Sequence, residues 1–184
     1  EPSLRSFVVL VFYLLSSATL WAESSVLKSL ETRESGRSWS AVGCLILENG
    51  QGFCTASLIA LDVILTAAHC LYDNETGKKY PLDIFEFQAG WRHGRAEAYR
   101  RIKSALTHPK YKFNSTKDVK KVSQDIAIVV LDRPIQNGGI DPFVVAPLPT
   151  QGEDVAVVSY ARGRKNAPSI QSTCKVVARQ EGIL

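Results

Sequence analysis

The chain has 184 residues, 45% of them hydrophobic and 22% charged, with a net charge of +4. That is the balance of a globular protein able to build a core, and the positive excess is too small to argue for a polyanionic partner. Basic residues gather at Arg92, Arg95, Arg100, Arg101 and Lys103 and again at Lys117, Lys120 and Lys121, but without the interleaved aromatics that stack on bases, so both groups read as solvated loop faces and no nucleic acid is expected.

The N-terminus presents Arg5, an apolar run from Phe7 to Leu15 and the small residues Ser16, Ser17 and Ala18. This order predicts a secretory signal peptide over residues 1–22, cleaved after Ala18 or Ala22. At about nine residues the run is half of what a bilayer-spanning helix needs, so no membrane role beyond export is expected. A buried helix at a free N-terminus is the alternative reading of the same run. Glu23 to Arg37 is polar, rich in Ser and Glu, and shows little apolar periodicity. It predicts a leader or pro-segment over residues 23–38, with cleavage near Arg37.

From Trp39 onward short apolar segments alternate with turns and none keeps a helical period, which predicts an all-β domain. The expected strands are Ala41–Leu47, Gly52–Ile59, Val63–Thr66, Ile84–Gln88, Tyr99–Thr107, Ile126–Leu131, Val155–Tyr160 and Cys174–Ala178. Asn49-Gly50 is a hairpin turn joining the first two. Cys54 and Cys70 bracket two apolar segments with polar Asp62 between them, the pattern of a hairpin closed by a Cys54–Cys70 bridge. Closing a loop of about 15 residues is worth roughly 3 kcal/mol on the chain-entropy account, and it would hold the backbone that carries His69. Export makes such a bridge chemically reasonable, since disulfides persist outside the reducing cytosol.

His69 lies in Leu65-Thr66-Ala67-Ala68-His69-Cys70, at the end of that hairpin. This stretch, with Phe53-Cys54-Thr55-Ala56-Ser57-Leu58-Ile59 upstream, resembles the chymotrypsin-like serine endopeptidases, whose catalytic histidine sits in a T-A-A-H-C motif. The resemblance implies a two-barrel all-β fold, polypeptide substrates, no cofactor, and His69 as the general base. A neutral imidazole serves as a base only if an acceptor holds its other nitrogen in the right tautomer. Asp125, in Ser123-Gln124-Asp125-Ile126-Ala127-Ile128, resembles the family's D-I-A motif and is the candidate. Taken alone it reads as an exposed turn residue before a strand; with His69 present, an acid leading into an apolar strand has a partner. His108-Pro109-Lys110-Tyr111 resembles a structural turn of the same family, and His108 is expected to be structural.

The family places its nucleophile in a G-x-S-G-type turn late in the chain, and no such turn occurs before Leu184. Ser159, Ser169 and Ser172 have no flanking glycines to aim backbone N–H groups at an oxyanion, and read as ordinary surface or strand-end serines. The chain, which starts at Glu1, contains no Met and stops within Gly182-Ile183-Leu184, reads as a fragment whose nucleophile lies further on. Residues 39–136 are then expected to form the first barrel, 137–150 the connection and 151–184 the start of the second barrel. Trp39 to Gly43 looks like the start of the mature domain in bacterial trypsin-like proteins, and Cys174 to Val177 like the strand before the nucleophile loop in glutamyl-endopeptidase-like members. The animal activation motif Ile-Val-Gly-Gly is absent. Cys174 is expected to pair with a cysteine beyond Leu184, Cys44 to be a buried free thiol; a Cys44–Cys174 bridge would run against the family's pairing.

His93 lies in a glycine-flanked turn and is assigned no role. His69, His93 and His108 lack metal-ligand spacing, so no zinc site is expected. Asn74-Glu75-Thr76 and Asn114-Ser115-Thr116 are N-glycosylation acceptor patterns in loop-like settings. They matter only in a eukaryote, and the bacterial resemblance predicts no glycans. The expected protein is a secreted or periplasmic serine endopeptidase whose isolated fragment is inactive. The alternative is a non-catalytic, protease-like secreted binding protein; an unrelated β-barrel binding module would leave the His69 and Asp125 motifs to chance.

Overall fold

The computed structural model describes residues 27–47, 53–113, 122–136, 138–161 and 163–178. The signal peptide expected over 1–22, the Asn49-Gly50 turn, the Asn114 acceptor pattern and the cluster at Lys117, Lys120 and Lys121 lie outside the described residues. Nine strands are described: β1 Lys28–Ser29, β2 Val42–Leu47, β3 Phe53–Ala60, β4 Val63–Thr66, β5 Phe85–Ala89, β6 Ala98–Thr107, β7 Ala127–Leu131, β8 Asp154–Ala161 and β9 Arg164–Lys175. Strands β2 to β7 close into a barrel in the order β2-β3-β4-β7-β6-β5, every neighbouring pair antiparallel. Strands β1, β9 and β8 form a separate three-stranded sheet. This is the all-β, two-barrel type of fold expected from the sequence.

Side-chain alternation explains the barrel. In β7, Ala127, Val129 and Leu131 are buried while Ile128 is 46% exposed; in β4, Ile64 and Thr66 point in. The inward residues meet Leu45, Leu58, Phe85 and Phe87 in one core. Fully burying a side chain of this size contributes about 1.5–3 kcal/mol, so these few positions carry much of the barrel's stability. Strand β2 is buried on both faces. Leu45 and Leu47 face the barrel core, whereas Val42 and Cys44 join Tyr160 of β8 in a second cluster between barrel and sheet. Gly43 lies where β2 crosses β5 most closely: a Cβ there would sit 2.5 Å from both the Gln88 carbonyl oxygen and the Phe87 ring.

The polar segment expected to be a leader is tied to the sheet from Lys28 onward. Lys28 and Ser29 pair with Ile170 and Ser169 of β9, and Leu30, 3% exposed, donates its N–H to the Pro168 carbonyl. A single helical turn, α1 (Arg33–Gly36), follows, capped by Thr32 Oγ1 accepting from the Ser35 N–H. Arg92 ties this segment to the barrel. Its guanidinium donates to the carbonyls of Leu30, Gly36 and Gly90 at 2.8–3.1 Å and lies 3.6 Å from Glu97, with only 10% of the side chain exposed. Arg92 is therefore no solvated loop residue, and neighbouring Arg100 and Arg101 also spend donors on backbone carbonyls, of Pro134 and Asp83. A guanidinium offers five donors in a fixed fork, which suits it to collecting orphan carbonyls.

Strand β9 differs most from expectation. Only its last two residues, Cys174 and Lys175, fall in the strand read from the sequence, because Arg164 to Ser169 is polar and contains Pro168, both adverse to strand assignment. The chain accommodates Pro168 where the β8–β9 register shifts, and its carbonyl still serves β1. Ser169 is accordingly not a surface serine: it is 3% exposed, opposite Ser159 on one side and Ser29 on the other.

Candidate active site

Antiparallel pairing of β4 and β7 brings the two candidate residues to one end of the barrel. Thr66, the last residue of β4, pairs with Ala127, the first of β7. His69 lies three residues past the one and Asp125 two residues before the other, so both emerge from the same edge. Beyond β4 the chain enters a short 3-10 turn, Ala68–Leu71, whose buried members Ala68 and Leu71 anchor it and leave His69 outward. Cys70 is bonded to Cys54 at the start of β3, which pins the turn to the adjacent strand. Thr66 Oγ1 donates to the Thr55 carbonyl at 2.9 Å, adding a second tie two strands wide.

Asp125 is placed by its own turn, its N–H donating to the Val122 carbonyl before β7 begins. Its carboxylate engages His69 twice: Oδ2 lies 2.6 Å from Nδ1, and Oδ1 accepts the His69 backbone N–H at 2.8 Å. Two contacts fix both position and rotation of the carboxylate, so the ring sits in one orientation. The His69 side chain is 51% exposed and that of Asp125 23%. The pair is thus half-covered on the Asp125 side and open on the Nε2 side. Among the described residues no hydroxyl bonds to Nε2, which lies 3.7 Å from the disulfide-bonded Sγ of Cys70.

Loop aromatics pack on one another near the pair, and Tyr111 feels the Asp125 charge, a feature that sequence reading missed. Tyr72 packs against Tyr111 with ring centres 5.6 Å apart and stacks on Phe113 at 5.5 Å. Burial, then the Asp125 charge, then Tyr72, push the Tyr111 phenol up to about 12, so it stays neutral beside the acid. Tyr111 had been read only as part of a structural turn. His108 behaves as that reading expected, its Nδ1 accepting the Lys110 N–H at 3.2 Å. His93 adopts a positive φ of 45° in a tight turn, with its N–H on the Asn166 carbonyl. Cys54, His69 and Cys70 bring potential metal donors together, but both sulfurs are consumed by the disulfide and offer no thiolate.

The trypsin family model matches residues 31–182, which is most of the chain. The chain belongs to the trypsin family. A curated relative, the modular serine protease of Drosophila melanogaster, is 30% identical over 132 residues, covering 67% of this chain and 20% of its own length. The match therefore spans about a fifth of that relative. It is an insect protein, and the bacterial affinity read from residues 39–43 and 174–177 is not part of what these matches show.

Proposed function

We propose that this trypsin-family chain carries the base and the acid of a secreted serine endopeptidase, and that the nucleophilic serine is supplied from outside residues 1–184. The observation that carries the reading is the double engagement of His69 by Asp125. With Nδ1–H donating to Asp125, the lone pair rests on Nε2, where it takes the proton of a serine hydroxyl as that oxygen attacks the peptide carbonyl. The imidazolium, held by the carboxylate, then returns the proton to the leaving amine, and the same cycle with water releases the acyl group. Asp125 acts by orienting the ring and by its charge. No cofactor takes part.

Secretion is supported by the Cys54–Cys70 bridge and by the N-terminal order of Arg5, apolar run and small residues. The test is a fluorophosphonate probe, which labels only a serine activated by such a base. The 184-residue chain should remain unlabelled, and the protein encoded by the extended reading frame should be labelled, with labelling lost in His69→Ala. Labelling of the isolated chain, or an extended frame that ends without a nucleophile, would overturn the reading; the latter would leave a protease-like binding protein.

A further inference from the structure

The loop after Tyr72 is closed by its own hydrogen bonds. Asp73 closes it, its Oδ1 accepting the N–H groups of Glu75 and Thr76 at 2.8 Å each and its own backbone pairing with Lys78 and Gly77. Gly77 takes the positive φ of 68° that lets the chain reverse, and Tyr72 and Lys79 form a β-bridge at the base. Asn74, Glu75 and Thr76 stand exposed at the tip, and the Asn74 amide makes no hydrogen bond among the described residues. This tip is the acceptor pattern Asn-x-Thr. Eukaryotic secretory pathways modify this pattern, and the similar Drosophila melanogaster protein comes from a eukaryote.

We infer that Asn74 is an N-glycan acceptor at the rim of the groove that holds His69. The inference rests on the proposed secretion of the chain. Asn74 and His69 line one groove of about 440 Å³, walled by Cys54, Cys70, Tyr72 and Phe53. A glycan is bulky and hydrated, so it must leave the folded surface freely, and an exposed loop tip with an unengaged amide meets that demand. The donor is a lipid-pyrophosphate-linked oligosaccharide. Asn74 Nδ2 bonds to the anomeric carbon of the first sugar, the bond from that carbon to pyrophosphate breaks, the pyrophosphate leaves with the electron pair, and the amide loses one proton. Nothing is oxidised or reduced. The attached sugar would stand at the rim of the groove that His69 lines.

The experiment is expression of the full 184-residue chain in insect cells in an Asn114→Gln background, which removes the other acceptor pattern. Peptide mass spectrometry after enzymatic deglycosylation should find Asn converted to Asp at position 74 in most of the product, and Thr76→Ala should abolish that signal. N-terminal sequencing of the same sample reports whether the chain entered the secretory route. A processed chain with unmodified Asn74 would overturn the inference while leaving secretion intact. An unprocessed chain would overturn the secretion reading instead, and the same chain behind a heterologous export signal would then decide the fate of Asn74. Cell-associated product is scored with secreted product, since transfer precedes folding and a misfolded chain still reports occupancy.

Discussion

Asp125 holds His69 by ring and backbone at once, an arrangement in which neither contact can be traded for a surface ion pair of small worth. His69 and Asp125 are legible in the sequence because their flanking residues resemble the family's T-A-A-H-C and D-I-A motifs. The packing of Tyr72, Tyr111 and Phe113 is silent there, since loop aromatics show their contacts only once the loops meet. Cys44 belongs to the same scale. Burial between barrel and sheet pushes its thiol up to about 12 from an ordinary 9.0, only partly offset by Lys165. The folded chain should resist iodoacetamide at Cys44 at neutral pH and react there once unfolded. Because the folded state holds this proton more tightly, the associated stability is intact below pH 9.0 and falls as pH rises towards about 12. A denaturation midpoint that did not fall over that window would contradict the account.

At the scale of elements, barrel strands were readable to within a residue or two because inward and outward residues alternate, as in Ala127, Val129 and Leu131 against Ile128. Strands β1 and β9 were not, since their polar residues pair through the backbone and carry little apolar signal. Two variants separate the contributions of packing and of the crosslink. Gly43→Ala should destabilise by roughly 1–3 kcal/mol, because its Cβ has to displace the Gln88 carbonyl or the Phe87 ring. Replacing both Cys54 and Cys70 with Ser should cost roughly 3 kcal/mol by freeing the loop in the unfolded chain, with a fall in urea midpoint. An unchanged midpoint in either variant would show that the site's frame does not depend on the feature removed.

Across the whole molecule, the barrel and the β1-β9-β8 sheet are joined by specific links, among them the Val42, Cys44 and Tyr160 cluster, the Tyr160 hydroxyl on the Trp91 carbonyl, the Tyr160 N–H on Thr55 Oγ1, and the Trp91 indole and His93 backbone N–H groups on the Lys165 and Asn166 carbonyls, while the Arg92 fork ties in the segment after β1. A Cβ at Gly36 would run into that guanidinium, so glycine and arginine fit as a pair. Arg92→Ala leaves three carbonyls without their donor and should destabilise on the order of 3 kcal/mol. It should also speed trypsin cleavage after Arg33 and Arg37, and digestion at the wild-type rate would deny the segment its anchor. The links leave the His69–Asp125 end of the barrel open and pre-set. The measurement that tests this most directly is proton NMR of the chain labelled with nitrogen-15 histidine. A Nδ1–H shared with a carboxylate at 2.6 Å should give a far-downfield resonance assigned to His69, lost in Asp125→Asn while the barrel's other signals persist. Absence of that resonance from the wild-type chain, or its survival in Asp125→Asn, would contradict the pairing on which the proposed chemistry depends.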